Sequence, residues 1–292
     1  SQALDYIGKH RNGPFFVVIW FGSPHKPWRS LPEHQAPLPA ETDSLQREYL
    51  GEIVEIDEAV GRLRGELRNM GLEKQTLVWY NSDNGGLPAG GKEGVGGLRG
   101  FKRSIYEGGL RVPCVIEWPG QIEGGRVSEY PASTMDIFPT VVSLLELPRE
   151  VMTQPVDGRS ILPLFSKDLT ERAHPIPFKF HNKGALLDYP YKLVVEDIQK
   201  KEYALYDLAA DPAESRDLLS LQPDKAAGMI AHYETWLISV EASLAGEDYP
   251  EGLENEDPPD QFWWDVPVYQ PYIQKWKDRP EYHDRLERAG KI

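Results

Sequence analysis

Asp83 and Asn84 stand side by side just beyond the apolar run Leu77–Tyr80 and directly before Gly85 and Gly86. A carboxylate next to an amide carbonyl offers two hard oxygen donors, the kind calcium takes. The two glycines let the turn adopt positive φ and let a ligand approach the backbone. Lys102 lies between Gly100 and Gly108 in a loop leading to a second apolar run, Val112–Trp118. A cation fixed there could stabilise negative charge developing on a transferred group. His25 sits in Ser23-Pro24-His25-Lys26-Pro27-Trp28, after the apolar run Phe15–Phe21. A histidine at a strand end suits general-acid work or a hydrogen bond to an oxyanion. Lys26 and Trp28 are candidates for the rim of the same pocket, and Arg99 and Arg103 flank Lys102. On residue chemistry alone, the same groups serve equally as an Asx turn, a solvated lysine and an incidental loop histidine.

The elements that must position these residues follow from periodicity. Phe15–Phe21 reads as a strand, and so do Thr76–Tyr80 and Val112–Trp118. Between the first two, Leu45, Tyr49, Ile53, Ile56, Val60, Leu63, Leu67 and Met70 recur at three- and four-residue steps, the signature of one helical stripe. Asp43 with Gln46 opens that helix as a capping box would, and Gly71 closes it. Strand, helix, strand is a crossover, so the expected architecture is α/β: a mostly parallel sheet flanked by helices, with sites at the carboxyl ends of its strands. A helix over Thr134–Leu147 follows. Beyond Pro163–His174 the composition shifts, and Pro190–Glu196 and Glu202–Asp207 alternate like antiparallel strands before an amphipathic helix at Asp224–Leu244. The expected division is 1–170 for the α/β part, 171–248 for a smaller α+β subdomain, and 249–292 for an acidic, aromatic-rich tail.

Composition limits the partners. The formal charge of −14 argues against nucleic acid and anionic membranes. Gly246–Asp265 holds eight acids and no Lys or Arg, which reads as a solvated loop. No apolar run reaches the ~20 residues of a membrane span. The lone Cys114 sits in an apolar strand context and reads as a buried residue without catalytic work. The start, SQALDYIGKH, reads as the end of a helix with no leader character, so an upstream segment is expected. His174, Lys179, His181, Asn182 and Lys183 form the densest basic and polar cluster, and His181 is a candidate substrate contact.

The ordered set PHKP, SDNGG, GFK, YEGGLRVP and LYDLAADPAE resembles the formylglycine-dependent (type I) sulfatases of the alkaline phosphatase-like superfamily, specifically their C-terminal portion. The resemblance implies sulfate-ester hydrolysis, with a carbohydrate sulfate as the expected substrate. It implies that Asp83 and Asn84 bind calcium, that Lys102 touches the sulfate oxygens, and that His25 contacts the sulfate or protonates the leaving oxygen. Lys26, Trp28, Arg99 and His181 are the expected substrate neighbours. The family nucleophile motif, Cys or Ser-x-Pro-x-Arg, occurs nowhere in this chain. Hence formylglycine, its arginine and the remaining calcium carboxylates are expected from an upstream sulfatase segment, in the same precursor or on a separate chain, and this chain alone is expected to be inactive. The family also implies an exported protein, periplasmic, extracellular or lysosomal. Two other functions fit the same motifs: a phosphodiesterase or phosphonate monoester hydrolase of the same superfamily, or a non-catalytic remnant that binds sulfated glycans.

Overall fold

The computed structural model describes residues 2–88, 93–248 and 261–292. In chain order the helices are α1 (Gln2–His10), α2 (Pro32–Gln35), α3 (Ser44–Asn69), α4 (Glu107–Leu110), α5 (Ile137–Leu144), α6 (Pro223–Leu244), α7 (Gln270–Trp276) and α8 (Pro280–Arg288). The strands are β1 (Val78–Asn81), β2 (Cys114–Glu117), β3 (Ile176–Phe180), β4 (Lys183–Asp188), β5 (Tyr191–Asp197) and β6 (Glu202–Asp207). The chain divides into two compact units, Ser1–Glu73 with Asn255–Ile292, and Lys74–Glu254. This division does not coincide with the boundaries at 170 and 248 expected from composition. Residues 249–260 of the acidic stretch and 89–92 of the glycine-rich loop lie outside the described residues.

The first unit is helical. The Asp43 side chain accepts the Leu45 and Gln46 amides and so caps α3. At the other end Gly71, at φ +72°, turns the chain back so that the Leu72 amide reaches the Leu67 carbonyl. Both signals were legible in the sequence. The expected apolar stripe is buried only in part: Ile56 and Leu67 are covered, whereas Leu45 and Ile53 are exposed. Glu52 is buried beside them at 4% exposure. The tail aromatics pack mainly on one another, with Trp264, Ile273 and Leu286 as their centre and Trp263 and Tyr282 against it.

The second unit holds both sheets. β3–β4–β5–β6 form an antiparallel meander whose one face packs on α6 through Leu186, Leu193, Val195, Leu205, Met229 and Tyr233. The opposite face, through Val194, Ala204 and Tyr206, packs on Ile105 and Tyr106. Strand periodicity explains the two sets, because alternate residues of β5 point to opposite faces. Asp136 ends up fully buried, accepting the Ser133 and Arg159 amides and both guanidinium nitrogens of Arg172. It thereby fixes the start of α5.

The described ladders are antiparallel, β1 against β2 (Val78↔Glu117 to Asn81↔Cys114) as well as the meander. Two expectations are corrected. Phe15–Phe21 pairs with no strand among the described residues, and its Trp20 is 92% exposed. An apolar run declares a strand's need for partners but not which partners lie beside it. Cys114 opens β2 and is exposed, not buried. A two-stranded ribbon leaves one of its faces uncovered, so apolar context in the sequence does not guarantee burial.

Candidate functional site

Within the second unit, β1 ends at Asn81 and delivers Asp83 and Asn84 into a turn that points an exposed carboxylate outward. The turn is held internally: the Ser82 hydroxyl donates to the Asn84 carbonyl at 3.1 Å, and the Asn84 amide nitrogen donates to the Asp83 carboxylate. That bond ties the two side chains of the turn to each other.

The Lys102 loop is joined to this turn by backbone alone. The Lys102 amide donates to the Gly86 carbonyl at 3.0 Å, and the Gly85 amide donates to the Gly109 carbonyl at 2.9 Å. The Gly108 amide closes the loop on the Arg99 carbonyl at 2.8 Å. Arg103 adopts φ +75° where the chain reverses, and Gly100 adopts φ +77°. The glycines are required by contact as well as by dihedral. A Cβ on Gly85 would lie 1.9 Å from the Gly108 carbonyl oxygen, one on Gly108 would lie 2.2 Å from Gly100 oxygen, and one on Gly109 would lie 2.1 Å from Ser104 oxygen. Three strips of main chain therefore touch with no side chain between them, and Lys102 is carried half-buried at their junction.

Behind the loop lies a buried cluster of charge. Lys192 is fully buried on β5, and its ammonium contacts Glu107 at 2.8 Å and Glu214 at 2.9 Å. The other Glu214 oxygen accepts the Glu107 amide at 2.7 Å. Burial pushes the Glu214 carboxyl up from its ordinary value, against the opposing pull of Lys192. Arg99 is engaged in the same support: it donates to the Tyr206 hydroxyl at 3.0 Å and the Glu214 carbonyl at 2.7 Å, and lies over the Tyr106 ring. Arg99 is exposed, with its guanidinium held by these scaffold contacts.

Within the first unit, His25 is exposed between two prolines. Its Nδ1 lies 2.8 Å from the Lys26 carbonyl; a carbonyl can only accept, so Nδ1 carries hydrogen and Nε2 is the nitrogen free to exchange a proton. Trp28 is 5% exposed and its indole donates to the Pro24 carbonyl at 2.8 Å, which closes the loop around His25. It anchors that loop and is buried, where a rim position was expected. Lys26 extends over the Trp28 ring at 4.6 Å. The segment is propped from α3: the Arg29 amide donates to Glu52 at 2.6 Å and the Ser30 amide to Glu48 at 2.7 Å. His181 belongs elsewhere, exposed at the turn of the β3–β4 hairpin with φ +52°. That hairpin contains Lys179 and Lys183, residues whose polar character hid its alternation.

Among the described residues no three His, Cys, Asp or Glu side chains gather as a metal cluster. Asp83 and Asn84 are oxygen donors of the right kind for a hard cation, but two donors fall short of the six to eight that calcium requires. These residues fit part of a calcium site and not the whole of one.

The comparisons with known proteins bear on this arrangement. The family model "Sulfatase" matches residues 1–147, half of the chain. The chain belongs to the sulfatase family. A second family model, "N-sulphoglucosamine sulphohydrolase, C-terminal", matches residues 98–235, spanning the Lys102 loop and the meander. Over 193 residues the chain is 34% identical to mouse steryl-sulfatase, covering 62% of this chain and 29% of that protein. Over 168 residues it is 35% identical to rat N-acetylgalactosamine-6-sulfatase, covering 56% of this chain and 31% of that protein. Among solved structures, Ps i-CgsB superposes with a TM-score of 0.73 and 26% identity, over 80% of this chain and 53% of that one. The fold is thus that of the alkaline phosphatase-like sulfatases. The sulfatase chain described here spans about a third of the length of the curated relatives it matches. No described helix is long and apolar enough to cross a membrane.

Proposed function

We propose that this sulfatase chain supplies the calcium-binding turn, the sulfate-binding lysine and the leaving-group histidine to the hydrolysis of a sulfate ester on a carbohydrate. The observation that carries the reading is the backbone junction of the Asp83–Asn84 turn with the Lys102 loop, in a chain of this family. The carbohydrate class is supported by relatives and neighbours named for sugar sulfates and by a neighbour solved with k-i-k-neocarrahexaose.

In this reading Asp83 and Asn84 hold calcium together with carboxylates from outside the chain. Calcium, when bound, neutralises charge on the sulfate oxygens. Lys102 hydrogen-bonds those oxygens from a fixed position, so no reorganisation is needed as charge shifts toward the leaving oxygen. His25, protonated at Nε2, gives its proton to that oxygen while Nδ1–H stays on the Lys26 carbonyl. Lys26 and His181 contact the flanking sugar. The nucleophile, formylglycine derived from Cys or Ser, lies outside this sequence, and the whole protein is exported.

The test uses the complete protein that contains this sequence. Peptide mapping by mass spectrometry should find an aldehyde at a Cys or Ser in a Cys/Ser-x-Pro-x-Arg context. Turnover of matched aryl esters should favour sulfate over phosphate and depend on added calcium. Preference for phosphate would move the protein to the phosphodiesterase and phosphonate hydrolase branch. Binding of sulfated oligosaccharide with no turnover and no aldehyde would make it a glycan-binding remnant.

A further inference from the structure

Lys192 presents a physical problem. It lies on the face of β5 that also carries Val194, against Ile105 and Tyr106, where an apolar side chain would fit without desolvation. Instead an ammonium is buried with two carboxyl groups. Replacing such a group with apolar residues is often neutral or stabilising, so a buried charge cluster is weak evidence for stability and better evidence for fixed geometry. The geometry it fixes is specific. Glu107 is the first residue of α4, and both its ends are held: the carboxylate by Lys192, the amide by Glu214. Within the next two residues, the carbonyl of Gly109 receives the Gly85 amide, and Gly108 both closes on Arg99 and touches Gly85 with no room for a methyl group. A displacement of Glu107 therefore passes directly into the Asp83–Asn84 turn and the Lys102 loop.

We propose that Lys192, Glu107 and Glu214 are positioning residues: a buried charge clamp that sets Lys102 in register with the Asp83–Asn84 turn. This rests on the sulfatase reading only for its catalytic consequence. The mechanical claim concerns the chain itself. Lys192 and Glu214 touch neither the turn nor Lys102, and act through α4.

The deciding variant is the charge-free triple Lys192→Met/Glu107→Gln/Glu214→Gln, with Lys192→Met and Lys192→Arg beside it. Residue-resolved amide exchange on the complete protein that contains this sequence should rise about tenfold or more at Gly85, Lys102 and Gly108 in the triple variant, while α6 and β4 keep their protection. Lys192→Arg, which retains a cation, should restore most of the protection that Lys192→Met loses. In the complete protein the triple variant should lower kcat for an aryl sulfate about tenfold or more. Unchanged exchange at those three amides would overturn the proposal. So would a uniform rise across the unit, or failure of both the single and triple variants to fold, since each assigns the cluster to stability alone. A complete protein that hydrolyses no sulfate ester would sink the functional reading and leave the exchange result standing.

Discussion

The Asp83–Lys102 region and the His25 segment both bring polar groups to an exposed end of an apolar run, and they are held in different ways. The first is joined main chain to main chain, with glycines at each crossing and a buried charge cluster behind. The second is a proline-bounded loop held by side chains, with Trp28 folded inward and Glu48 and Glu52 reaching from α3 to its backbone amides. A main-chain junction tolerates little displacement, because no rotamer can absorb it. A side-chain prop can relax through its own torsions. Under the proposed function, the difference suits a pair of oxygen donors and a cation that must keep fixed distances, and a histidine that must move a proton.

The largest effect that would test the contrast is Asp83→Ala in the complete protein. Loss of a carboxylate that holds the metal should remove several kcal/mol of charge stabilisation and lower kcat at least about 10³-fold. Near-normal turnover in that variant would remove calcium from the turn. Lys102→Ala should follow with a loss on the order of 10²–10³ in kcat, the usual scale for one preorganised stabiliser. A change below about threefold would take Lys102 away from the sulfate. Gly85→Ala tests the junction itself: its methyl would meet the Gly108 carbonyl oxygen at 1.9 Å, so stability in urea should fall by about 1–3 kcal/mol.

Glu52→Ala tests the propped loop. It leaves the Arg29 amide without its present acceptor, and the expected cost is about 1–2 kcal/mol in a denaturant titration. A cost as large as that of Gly85→Ala would weaken the distinction between the two kinds of support. The smallest expected effect is a pH response at the β5–β6 turn, outside both regions. The Lys200 amide and ammonium and the Asn182 side chain hold the Asp197 carboxyl down at about 2, against an ordinary 3.8. A depressed carboxyl contributes stability above its ordinary value and loses it as pH falls through the folded one. NMR titration should therefore show the turn loosening between about pH 4 and 2, and Asp197→Asn should abolish that step.

Asp83, Asn84 and Lys102 were singled out in the sequence by their place between apolar runs and glycines, and the structure joins their two loops through the backbone of Gly85, Gly86 and Gly109. The supports were harder to see. Glu52 lies on the apolar stripe of α3, and Lys192 shares a face of β5 with the buried Val194. A charged residue at a core position was the available signal for each. Trp28 was placed at a pocket rim because aromatics often serve there, but tertiary contacts buried it against its own loop.

The sequence by itself determined the local chemistry: where α3 starts and stops, which glycines permit a touching backbone, and which family motifs stand in order. These depend on hydrogen bonds and dihedrals within a few residues. Only the tertiary structure decided that β1 pairs antiparallel with β2, that Cys114 faces outward, and that Lys192 meets Glu107 and Glu214. Those outcomes join residues up to 85 positions apart, and pairing at that range is set by which surfaces pack together.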